Sequence, residues 1–186
     1  MKNYLKAFNI LTDEDIELAL QLGRTKTVRK NDFFIREGQV CKDVAFVKSG
    51  FFRSYYHNST GEDITYCFSF AGTFIAAYSS FLTQQKSVEN IYAMTDAEIF
   101  VIPREGILQL EQTSVNWLRL SKMLAEQEFM KMEQRVFILK ENAEIRYLDL
   151  LHNHPEYLQQ IPLNHLASFL GITQRHLSRI RGLIRN

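Results

Sequence analysis

Apolar positions change their spacing twice along the chain, and each change predicts a different kind of element. Thr12-Asp13-Glu14-Asp15 precedes Ile16, Leu18, Ala19, Leu20 and Leu22, which predicts a capped helix stopped by Gly23. From Thr25 to about Ile102 the pattern shortens. Runs such as DFFIREG, VAFVKSG, FFRSYYHNSTG, DITYCFSFAG and AEIFVIP are rich in Val, Ile, Phe, Tyr and Thr. Turn residues near Gly38, Gly50, Asn58 to Gly61 and Gly72 separate them, which predicts a small antiparallel sandwich or barrel. Pro103 closes this region. A segment without Gly or Pro then runs from Thr113 or Ser114 to about Glu141 and predicts one helix roughly 40 Å long. Met123, Met130 and Phe137 repeat every seven residues along it. So wide a stripe suits a helix paired with a second copy, with Trp117, Leu120, Met123, Leu124, Met130 and Phe137 at the interface; the alternative is a core helix lying across its own sheet. A further helix over 143–151 precedes a turn at His154-Pro155.

The last 26 residues predict a helix-turn-helix. Pro162 suits a first helical turn, where its missing N–H costs nothing. Leu163, Leu166, Ala167 and Leu170 follow at helical spacing, and small Ala167 allows a close crossing. Gly171 supplies the turn, Thr173 caps the next helix, and Leu177, Ile180 and Ile184 form its apolar stripe. Thr173, Gln174, Arg175, Ser178, Arg179, Arg181 and Arg185 are then the candidate DNA contacts, the first five toward base edges and the last two toward phosphate.

Charge sharpens this picture. The whole chain is close to neutral, with 22 basic and 21 acidic residues. The last 30 residues hold four Arg and no acid, so the preceding 156 carry a net −3. Affinity for a polyanion is therefore expected at the C-terminal end alone. No apolar run approaches the roughly 20 residues of a membrane span, and the N-terminus lacks an apolar signal core, so a cytoplasmic protein without membrane contact is expected. Two cysteines, Cys41 and Cys67, suit a reducing compartment as small hydrophobes and are too few for a four-thiolate iron–sulfur cluster.

The order of roll, long helix and helix-turn-helix resembles the cyclic-AMP receptor and fumarate–nitrate regulator (CRP/FNR) family of bacterial transcription regulators. Local matches extend along the chain. Lys30-Asn31-Asp32-Phe33-Phe34-Ile35-Arg36-Glu37-Gly38 is similar to the first β-roll motif. Phe46-Val47-Lys48-Ser49-Gly50-Phe51-Phe52-Arg53 is similar to the next strand-turn-strand, and Phe70-Ala71-Gly72-Thr73-Phe74-Ile75 to the turn entering the ligand segment. Ala143-Glu144-Ile145-Arg146-Tyr147-Leu148 is similar to the helix before the DNA-binding unit. The resemblance implies an α+β fold. It comprises an antiparallel β-roll of the cyclic-nucleotide-binding type (a double-stranded β-helix) over 1–112, a dimerisation helix over 113–140 and a helix-turn-helix domain over 141–186. It also implies double-stranded DNA, a second copy of the chain and RNA polymerase as partners.

The same resemblance places a ribose-binding Glu near Ala77 and a phosphate-binding Arg near Ser87. Neither residue type stands there. Lys86 is adjacent and offers only a point charge, so cyclic AMP is not expected to bind. Any effector is expected to be an unidentified small molecule near Phe74, Ala77, Tyr78, Lys86 and Ser87. Tyr66, Phe68, Phe70 and Phe81 belong either to that pocket or to the core. No cofactor and no metal are expected: His152 and His154 beside Pro155 read as a helix-end turn, and Glu62 and Asp63 as a polar hairpin end. An enzyme on such a roll needs two or three histidines around a metal, and His57 stands alone in the β region. A non-enzymatic regulator is thus expected. Its rival is a ligand-sensing roll that acts through protein contacts only.

Overall fold

The computed structural model describes residues 1–184. Two short helices, α1 (Lys2–Ala7) and α2 (Asp13–Leu22), lead into strands β1 (Arg24–Val28), β2 (Phe33–Ile35), β3 (Asp43–Ser49), β4 (Phe51–His57), β5 (Asp63–Phe70) and β6 (Phe74–Ile75). Helix α3 (Tyr78–Thr83) interrupts them before β7 (Glu89–Ala93) and β8 (Ala97–Pro103). The remainder is helical: α4 (Arg104–Thr113), α5 (Val115–Ile138), α6 (Ala143–Asn153), α7 (Pro155–Gln160), α8 (Leu163–Phe169) and α9 (Gln174–Ile184).

The strands form two antiparallel sheets, β1-β8-β3-β6 and β2-β7-β4-β5. Alternation along each strand sends one row of side chains between the sheets. Val47, Phe52, Ile75, Ile91, Ala93, Ile99 and Val101 meet there as the roll's own core. The other row faces outward and is covered by helices on both sides. Phe46, Phe100 and Ile102 pack beneath α1, α2, α4 and the start of α5, through Leu5, Ile16, Leu110, Trp117 and Leu120. Phe51, Phe68 and Met94 pack beneath the C-terminal helices, through Tyr147, Leu150, Ile161, Leu166 and Leu177. The antiparallel sandwich predicted from the alternating runs is present, in the roll form that the family resemblance implies.

Local chemistry fixes the element ends. Thr12 and Asp15 exchange side-chain-to-backbone bonds of 3.1 and 3.0 Å, a full capping box at the start of α2. Gly50, at φ +78°, turns β3 into β4. A Cβ there would lie 2.6 Å from the Asp96 carbonyl oxygen and 2.7 Å from the Ala97 Cβ.

Several helices go beyond the sequence pattern. Helix α1 has six residues with Leu5 buried, too few to show a period. Helix α4 contains Gly106, a residue that weakens a helical pattern. Its missing side chain lets the helix approach β8 and α2, since a Cβ would lie 3.0 Å from Ile102 and 3.4 Å from Leu22. The predicted turn at His154-Pro155 is only a break, because Pro155 opens α7 from its first turn.

Candidate nucleic-acid interface and roll interior

The C-terminal helix pair is built as its sequence suggests. Leu170 ends α8, and Gly171 follows at φ +66°. The Gly171 N–H donates to the Ser168 carbonyl and the Ile172 N–H to the Ala167 carbonyl, both at 3.0 Å, which closes the helix in a Schellman turn. The Thr173 hydroxyl then accepts from the His176 N–H at 3.2 Å and starts α9. Leu177 and Ile180 are buried against Leu166 and Ala167. The opposite side of α9 is free. Thr173, Gln174, Arg175, Ser178 and Arg179 are exposed and Arg181 is half-buried. Arg185 lies outside the described residues. Ile184 is 38 % exposed, so the apolar stripe stops short of it.

Helix α8 is fastened to the outer face of β5. The Thr65 N–H donates to the Ser168 Oγ at 2.9 Å, and that hydroxyl donates to the Asp63 carbonyl at 3.2 Å. Phe68 packs on Phe169 and Tyr157, and Phe70 stacks on Tyr157. Arg135 of α5 lies 3.7 Å over the Phe169 ring and donates to its carbonyl oxygen. Beneath this contact Arg53 of β4 is 2 % exposed. Its Nε donates to the Thr65 Oγ1 at 2.7 Å and its Nη1 to Asp63 at 2.9 Å, while Nη2 has no partner. His165 Nε2 is 3.4 Å from the Tyr92 hydroxyl. Burial, then the nearby Arg53 charge, push the His165 pKa down, so the imidazole is held neutral.

These contacts correct one expectation and decide an open one. Asp63 is not merely a polar hairpin end but the partner of a buried guanidinium. Phe68 and Phe70 line the helix-docking surface rather than an effector pocket. Phe74 also leaves that pocket: it packs outside the roll against Tyr4 and Phe46. Tyr78 is 48 % exposed and Lys86 is exposed, whereas Ala77 and Ser87 are buried. Of the five expected pocket residues only these last two turn inward. The Ser87 hydroxyl is engaged with Glu89, donating to its carbonyl at 2.9 Å and accepting its N–H at 3.1 Å. Glu89 was not singled out from the sequence. Its Oε2 is buried without a hydrogen-bond partner, and burial pushes its pKa up to about 7.

Helix α5 divides into two parts. Trp117 and Leu120 are buried within the chain, and Met123 and Leu124 pack partly against the same core, so these four serve the fold of a single copy. That removes Trp117 and Leu120 from the expected dimer interface. Phe129, Met130, Met132, Val136 and Phe137 are between 42 and 69 % exposed. The unpartnered stripe therefore begins later than its sequence period suggests. Among the described residues no cluster of His, Cys, Asp and Glu is placed to hold a metal, and no helix is long and apolar enough to cross a membrane.

Comparison with known proteins agrees with this architecture. Residues 25–114 match the family model for the cyclic nucleotide-binding domain. No curated protein matches the chain significantly. Among solved structures, FixK2 from Bradyrhizobium japonicum superposes with a TM-score of 0.77 at 17% identity, over 88% of this chain and 84% of its own. A crp/fnr-family transcriptional regulator from Eubacterium rectale gives 0.75 at 20% identity, over 98% and 88%. The c-di-GMP responsive regulator CLP from Xanthomonas campestris gives 0.73 at 17% identity, over 94% and 92%. The chain thus has the fold of these CRP/FNR-type regulators, with the matched residues 25–114 forming the roll.

Proposed function

We propose that this chain is a homodimeric, DNA-binding transcription regulator of the CRP/FNR type, with α8 and α9 as its helix-turn-helix. The observation that carries this is the exposed polar face of α9, with Arg175 and Arg179 opposite the buried Leu177 and Ile180. Such a helix fits a major groove, where Arg pairs bidentately with guanine. Residues 1–112 act as the sensor, 113–140 as the dimer-forming helix and 141–186 as the DNA-binding part. The exposed stripe from Phe129 to Phe137 supports pairing with a second copy. RNA polymerase is the expected partner by resemblance, and the setting is cytoplasmic. No catalytic role, metal or cofactor is assigned. Cyclic AMP is excluded from the proposal because Ala77 and Ser87 offer neither carboxylate nor guanidinium.

Titration of duplex DNA at several salt concentrations tests this reading. Binding is expected to fall linearly on a log–log plot as salt rises. Replacing Arg181 by Ala is expected to reduce the slope by about one. A protein that retains no duplex DNA at low salt acts through protein contacts instead. Micromolar cyclic AMP binding by calorimetry contradicts the sensor assignment alone.

A further inference from the structure

Polarity changes along the inside of the roll. On β4 the inward row runs Phe52, Ser54, Tyr56, and on β7 it runs Ala93, Ile91, Glu89. One end is therefore apolar and closed, with Phe52 and Ala93 at 0% exposure. The other ends on Tyr56 and Glu89, which stand directly opposite each other in the strand register. Tyr56 is 40 % exposed, so it stands at the solvent rim of this end, above the buried Glu89 oxygen. Opposed residues on one sheet face bring their Cβ atoms to about 5 Å, close enough for one small molecule to touch both.

The sign of the charge at this end is settled by which residues face inward. Glu89 presents a buried carboxyl oxygen with no hydrogen-bond partner. The neighbouring basic side chains lie elsewhere: Arg53 is on the outer face over Tyr55, Arg36 stacks on the outward Phe33, and Lys86 is exposed. Ala77 and Ser87 add no charge. An anionic ligand would meet an acid and no compensating cation, at a high desolvation cost. A donor-bearing cation would satisfy the orphaned oxygen and lie against an aromatic face, the two preferences of a flat organic cation.

We propose that the open end of the roll interior is a binding site for a small planar cation, an amidinium or protonated aromatic amine, held between the Glu89 carboxylate and the Tyr56 ring. This names the effector class of the proposed sensor and rests on that reading of the roll. Burial that raises the Glu89 pKa to about 7 is relieved when such a cation pairs with the carboxylate.

Benzamidine and benzoate test the site, because they share a ring and differ in charge. Calorimetry and thermal shift are run on the full chain at pH 8 with each probe, on wild type and on Glu89→Gln and Tyr56→Leu. Benzamidine is expected to bind and stabilise the wild type, and benzoate to do neither. Glu89→Gln, nearly isosteric, is expected to weaken benzamidine binding about tenfold or more. Tyr56→Leu, at an exposed position that keeps the fold, is expected to weaken it less. The proposal is overturned if benzoate binds as well as benzamidine, if neither probe binds, or if Glu89→Gln leaves benzamidine affinity unchanged. Duplex-DNA binding measured on the same samples separates the outcomes, since loss of DNA binding with benzamidine affinity intact rejects the regulator reading alone.

Discussion

Replacing Glu89 by Gln changes the pH dependence of stability in a direction the structure fixes. Burial raises the Glu89 pKa from 4.5 to about 7. In the unfolded chain the carboxyl ionises at its ordinary value, so between about pH 4.5 and 7 the folded state binds more protons than the unfolded one. Stability is then lost as pH rises through this window, and the loss is complete above the folded pKa. A shift of that size corresponds to about 3 kcal/mol, of which roughly 2 develops between pH 5 and 8. Glutamine keeps the shape and removes the titration. Urea unfolding of wild type and Glu89→Gln at both pH values cancels every other titrating group in the difference. The variant is expected to gain roughly 2 kcal/mol on the wild type between pH 5 and pH 8. A difference that stays constant between the two pH values refutes the burial argument.

Other consequences follow from separate parts of the fold. Met130→Asp with Phe137→Asp places charge on the exposed half of α5 and is expected to yield monomers in sedimentation with an unchanged roll, whereas a wild type that sediments as a monomer contradicts the assigned interface. Gly50→Ala is expected to lower stability by at least about 1–2 kcal/mol in denaturant titration, from the left-handed backbone alone, with the contact to Asp96 adding to it. Leu177→Ala empties a fully buried position and is expected to cost about 3–5 kcal/mol and abolish DNA binding. Because the His165 pKa is lowered, its neutral form supports docking of α8 above about pH 6.5, and acid is expected to weaken that contact; amide exchange in α8 that is indifferent to pH after correction for the intrinsic rate counts against it.

What was legible in the sequence was local. The antiparallel sheets were legible because their strands alternate and their turns carry glycines at positive φ, as at Gly38, Gly50 and Gly72. The helix pair was legible because Gly171 and Thr173 act on backbone groups a few residues away. Contacts between distant segments were not. Nothing in Phe51-Phe52-Arg53-Ser54 marks Arg53 as buried, since an outward Arg on a strand is ordinarily solvated. It is enclosed because Ser168, more than a hundred residues from Thr65 in sequence, brings α8 over it. Trp117 and Leu120 match the heptad-like stripe, yet α1 and α2 fold back to cover them. Glu89 was hidden in the mostly polar segment Lys86 to Asn90, whose one apolar residue, Val88, is exposed, so that only the register with Tyr56 shows which side chains turn inward.

Selection from a random duplex pool tests the central claim most directly. Wild-type protein is expected to enrich an inverted repeat whose half-sites lie about 34–36 Å apart, one helical turn. Arg179→Ala is expected to relax preference at one base position in each half-site, at a cost of about 1–3 kcal/mol in affinity. Enrichment of no sequence, or an Arg179→Ala protein with the same preference and affinity as wild type, contradicts the assignment of α9 as the DNA-reading helix.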